Sequence, residues 1–117
     1  MTTLAEFLLE RIAEDETIAR AAASGDGYTE WDNPCSGVVQ AAGGNLDGLV
    51  NAPGGIAIHM ARHDPARVLA ECDAKRRIVE ELQRGVEPGD EWTDPTVLKL
   101  LALPYADHPD FREEWRP

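Results

Sequence analysis

The chain is short of cysteine, of aromatic residues and of positive charge, and each shortage removes a class of function. Two cysteines, Cys35 and Cys72, do not make the thiol framework that staples small secreted domains. Free thiols in a reducing cytoplasm are therefore expected, and a Cys35–Cys72 bridge is not. Eleven Lys and Arg stand against 22 Asp and Glu, a formal net charge of -11. A nucleic-acid binder neutralises phosphates with Lys and Arg, so a field of this sign argues against direct DNA or RNA binding. No apolar run reaches the roughly 20 residues that span a bilayer. The opening residues also lack the basic start and apolar stretch of a signal peptide, so no membrane association is expected.

Catalytic signatures are missing as well. The glycine pairs at 43–44 and 54–55 are not followed by Lys-Ser or Lys-Thr, so they are read as turns rather than as a phosphate loop. Adjacent acids such as Glu80 and Glu81, or Glu113 and Glu114, diverge on a helix and make no acid/base pair. Cys35, in a loop after Pro34, sits in no nucleophile motif.

What the chain does have is helical periodicity at both ends and a glycine-rich middle. Its 117 residues fit one domain, 1–117. Leu4, Phe7, Leu8, Ile12, Ile18 and Ala22 recur at helical spacing over about 3–23, with Thr3 and Glu6 placed as a capping box. Residues 25–55 hold eight of the ten glycines and three short runs separated by turn residues, which predict short antiparallel strands. A helical turn follows at about 56–63. Asp64 before Pro65 is the signature of an N-cap and a first helical position, opening a helix over 65–84 with Leu69, Cys72, Val79 and Leu82 on one stripe. Asp94 before Pro95 repeats the device for a helix over 95–102. The tail 104–117 carries Tyr105, Phe111 and Trp115, each too apolar to leave in water, since burying a large aromatic is worth roughly 2–3 kcal/mol. The expected class is α+β: three main helices packed on a short antiparallel β-meander, with an ordered aromatic tail.

Candidate chemistry is sparse. His59 and His63 are four residues apart, the spacing that puts two imidazoles on one helical face and suits zinc. Two ligands do not complete a site; a third would come from His108, Asp64, Asp32 or Cys35. The glutamate of a zinc-peptidase motif is absent, because Met60 stands in its place. Arg62, Arg67, Lys75, Arg76 and Arg77 form a basic cluster suited to a phosphate or other small anion, or to pairing with the acidic first helix. Trp31, Tyr105, Phe111 and Trp115 are the candidates for an interaction surface.

Three stretches carry a resemblance: LAEFLLERIAEDE (4–16), IHMARHDPARVLAECDAKRRI (58–78) and LLALPYADHPDFREEWRP (100–117), together roughly half of the chain. They resemble a domain-of-unknown-function family of actinobacteria and their phages. The resemblance implies a lineage and a cytoplasmic setting but supplies no reaction. Relatives carry cysteines just before the last helix, where this chain has Glu91 to Pro95. If those cysteines bind zinc, Asp94 is a poor replacement and the metal is lost here. His59 and His63 do match the family's histidine phrase, which keeps a histidine site in view.

The expected function is a non-enzymatic interaction module for a protein partner, a small ligand or a second copy of the chain, with phage ancestry making interference with a host process an analogy. The alternatives are a metal-dependent hydrolytic enzyme built on His59 and His63, and a nucleotide- or anion-sequestering protein built on the basic cluster.

Overall fold

The computed structural model describes residues 2–23, 30–32, 38–41, 45–51, 53–84 and 95–117. Cys35, Trp92 and Asp94 lie outside the described residues, as does the side chain of Asp32. Four α-helices dominate: α1 (Leu4–Ala22), α2 (Gly54–Arg62), α3 (Pro65–Gln83) and α4 (Thr96–Ala102). The chain divides into two compact units, Met1–Glu14 with Cys72–Pro117, and Asp15–Glu71.

The expected α+β class is corrected: the described residues are mostly helical. Among the described residues the strands are β1 (Trp31–Asp32), β2 (Val38–Ala41) and β3 (Asn45–Asn51), of two, four and seven residues, paired antiparallel in that order. Among the described residues this ladder makes no extensive packing on α1 or α3. It packs beside α2, and its register shifts between Val39 and Ala41. The physical reason is length: strands this short, interrupted by a shift, expose too little apolar face to cover two helices of 19 residues.

Helix starts follow from local hydrogen bonding. Thr3 Oγ1 accepts from the Glu6 backbone N–H at 3.1 Å, occupying one of the donors that a helix start leaves unpaired. At α3 the backbone carbonyl of Asp64 accepts from Val68 N–H at 3.0 Å, and Oδ1 accepts from Arg67 N–H at 2.9 Å. Pro65 then fills the first helical position, where its missing N–H costs nothing. At α4 the expected cap residue, Asp94, lies outside the described residues. Pro95 itself occupies the cap position and accepts from Lys99 N–H at 2.9 Å, with no side chain capping. Gly54 and Gly55, expected as a turn, belong to the first turn of α2, which Pro53 opens by accepting from Ala57 N–H at 3.0 Å.

In the first unit Phe7, Leu8, Ile12, Cys72, Val79, Leu98, Ala102 and Trp115 are buried. Phe7 is the hub. Its ring centroid lies 5.0 Å from Trp115, 5.6 Å from His108, 6.1 Å from Phe111 and 6.4 Å from Tyr105, mostly edge to face. Each such pair adds about 0.5–1.5 kcal/mol beyond the area it buries. Two 3₁₀ turns, Leu103–Tyr105 and Glu113–Trp115, and bonds from His108 N–H to Tyr105 and from Phe111 N–H to His108 (both 2.9 Å) shape the tail around that ring.

In the second unit Ala19, Ala23, Val39, Ala57 and Pro65 are buried. Asp64 ties this unit together. While Oδ1 caps α3, Oδ2 accepts from Trp31 N–H at 3.0 Å, fixing β1 to the start of the helix. Replacing Asp64 by alanine removes both bonds and should cost about 2 kcal/mol, the upper end for a lost cap. Asparagine, which can still cap, should cost less than half as much. Urea unfolding of the two variants measures this; equal losses would show that the cap contributes nothing and that the second carboxylate oxygen or its charge carries the effect.

Candidate functional site

The second unit contains a cleft of about 220 Å³ between the later part of α1 and the start of α3. Ile18, Ala19, Ala22, Trp31, Pro65 and Val68 form its apolar walls, and Asp15 and His63 complete the lining. Helical spacing explains the α1 wall: 15, 18, 19 and 22 follow the three- and four-residue rhythm that stacks side chains on one face. Ile18 is 67% exposed, a large apolar side chain left in water beside the opening. Trp31 is held in place through its own backbone by Asp64. Of the expected interaction residues, Trp31 lines this cleft.

The tail aromatics serve differently. Trp115 is only 7% exposed and belongs to the core around Phe7, with Phe111 edge-on to it at 5.8 Å. Arg112 and Arg116 lie over the Trp115 and Phe111 rings at 5.4 and 5.6 Å. Arg116 Nε also donates to Glu113 at 2.7 Å, and that bond holds its guanidinium above the ordinary arginine range.

His59 and His63 come together. Their rings stack with centroids 4.3 Å apart and 27° between planes, both exposed, on the last turn of α2 and its C-cap. His108 belongs to the first unit and is committed there. Nη1 of Arg11 donates to its ring, 2.9 Å from Nδ1 and close to Nε2, and Asp110 N–H donates to Nδ1 at 3.0 Å. An imidazole nitrogen that accepts these bonds has no lone pair left for a metal. Among the described residues no group of three or more His, Cys, Asp or Glu side chains is placed to hold an ion.

Two members of the basic cluster, Arg67 and Arg77, are held in ion pairs. Arg67 Nε donates to Glu71 at 3.0 Å, and Arg77 meets Asp73 at 3.0 Å, both one turn along α3. Lys75 lies 6.0 Å from the centre of the Tyr105 ring, and Arg76 is also engaged. Exposed pairs of this kind are worth little to stability, but they divide the positive charge that a bound phosphate would need concentrated.

A family model described as a family of unknown function, DUF6221, matches residues 1–117. The chain belongs to the DUF6221 family. No curated protein and no solved structure matches it. Among the described residues of this DUF6221 protein, no helix is long and apolar enough to cross a membrane.

Arg11 is the residue that sequence reasoning missed in this DUF6221 member. It is 7% exposed, lies 5.2 Å from the centre of the Phe7 ring, meets Glu14 at 3.0 Å and Glu10 at 3.6 Å, and donates to His108. The signal was present in the spacing, because Arg11 follows Phe7 by four and Leu8 by three, inside the apolar stripe. Among the described residues its enclosed Nε meets no acceptor. Both glutamates are more than half exposed, so the ion pairs themselves contribute little. Packing over Phe7 dominates. Arg11→Ala should therefore cost about 3 kcal/mol, as large-to-small core changes do, whereas Arg11→Met, which keeps the volume, should cost less than half of that. Glu14→Gln should cost under about 1 kcal/mol. Thermal and urea unfolding rank the three; a Glu14 variant as damaging as Arg11→Ala would make the charge pair the dominant force.

Proposed function

We propose that this protein is a non-enzymatic interaction module, and that the cleft of its second unit takes one large apolar side chain from a basic segment of a partner protein. The cleft carries this reading. At about 220 Å³ it is smaller than the roughly 300–1,000 Å³ of pockets that enclose drug-sized ligands, and it matches a single anchoring side chain instead. Its walls are aliphatic and aromatic, the composition of a pocket that receives a buried anchor. The sign of the partner follows from charge. Residues 15–71 hold eight acids and three bases, and two of those bases, Arg20 and Arg67, are paired with Glu16 and Glu71. Such a field steers Lys- and Arg-rich segments toward the cleft and repels acidic ones. A cytoplasmic setting and descent among actinobacteria or their phages rest on the resemblance of the histidine and tail phrases alone.

The test is a titration of the isotope-labelled full chain with a synthetic Lys-rich peptide bearing one Leu, its Leu→Ser form, and a Glu-rich peptide with the same Leu. The account expects the Trp31 indole and the Ile18 and Val68 methyl signals to move only with the first peptide. Affinity should fall with salt and drop at least about tenfold in Ala22→Phe, which fills the cleft from an exposed position. Equal binding of the acidic peptide, or an unaltered affinity in Ala22→Phe, would overturn it.

A further inference from the structure

We propose that His59 and His63 together hold a divalent transition-metal ion, of the class of Cu2+, Ni2+ and Zn2+, at the carboxyl end of α2. Two imidazoles supply the protein ligands. The remaining coordination positions go to water or to an external donor.

The arrangement of His63 is the strongest argument. Its Nδ1 lies 3.0 Å from the carbonyl oxygen of His59, and a carbonyl can only accept, so Nδ1 carries the proton. That leaves Nε2 with its lone pair and fixes the ring by a backbone bond. Histidines that ligate metals characteristically donate their other N–H in this way, which sets the tautomer and orients the ring. His59, one helical turn earlier, stacks against it at 4.3 Å. Among the described residues no group hydrogen-bonds the His59 ring nitrogens, so this ring is the adjustable ligand of the pair.

The surroundings favour a cation. Both histidines are exposed, so the ion is not stripped of all its water, and the last carbonyls of a helix carry partial negative charge. The excess of acids over residues 15–71 raises the local concentration of cations. Imidazole selects among them. It suits copper, nickel and zinc, while calcium and magnesium seek oxygen ligands. With two protein ligands the site is open, in contrast to the four-ligand closure of structural zinc. The inference does not rest on the cleft, and it is read with no partner present.

The test uses the full chain without an affinity tag, stripped with chelator and dialysed, then titrated separately with CuCl2, NiCl2, ZnCl2 and MgCl2 by calorimetry. The structure leads us to expect one ion per chain, tightest for Cu2+ in keeping with the divalent series, and no heat with Mg2+. His59→Ala and His63→Ala should each weaken binding by at least about 10-fold. With Zn2+ the ring signals of His59 and His63 should move while those of His108 stay fixed. Both side chains are exposed, and circular dichroism of the variants verifies that they fold. Absence of saturation at one equivalent would overturn the proposal. So would undiminished affinity in the double variant, which would mean an adventitious ion only.

Discussion

Phe7 and Arg11, one turn apart on α1, meet the C-terminal tail through two kinds of force. Phe7 gathers Tyr105, His108, Phe111 and Trp115 around a fully buried ring. Arg11 lies over that ring and reaches His108, so the tail is held by packing and also by a directional hydrogen bond. The combination explains how a terminus with three prolines and four charged side chains after Phe111 keeps one shape: burial supplies the free energy and the guanidinium sets the orientation. It also explains why Arg11 is retained in a core, where a lone charge would be costly. Its two glutamates sit at the surface, in water, and pair with its Nη2 without being buried themselves.

Helix positions were legible because they depend on neighbours in sequence. Thr3 and Asp64 accept from backbone N–H groups three residues on, and the apolar spacing of Phe7, Leu8 and Ile12 marks a buried face wherever the partner lies. The α+β expectation fails because glycine-separated runs over 25–55 mark turns without showing how much sheet lies between them. Strand content depends on pairing and on what the faces cover, and neither is local. The glycines at 54 and 55 show the same limit: turn composition was outweighed by the carbonyl of Pro53, which starts a helix there. His108 could not be sorted from His59 and His63 by spacing alone. Its role depends on Arg11, 97 residues away.

The two units divide the work of the protein. In the first, Arg11 and the rings around Phe7 are turned inward, and the expected interaction residues Phe111 and Trp115 serve stability. In the second, small side chains on α1 leave room for a cleft, Trp31 is pinned at its edge by Asp64, and the ring of His63 stacks on that of His59.

The central claim is that the tail closes on α1 of its own chain, around Phe7. Isotope-filtered nuclear Overhauser spectroscopy on an equal mixture of labelled and unlabelled protein tests it most directly, because the filter separates contacts within a chain from contacts between chains. The account predicts strong cross-peaks from the Phe7 ring to Trp115, Phe111 and His108 within one chain. The same cross-peaks appearing only between chains, or not at all, would contradict it.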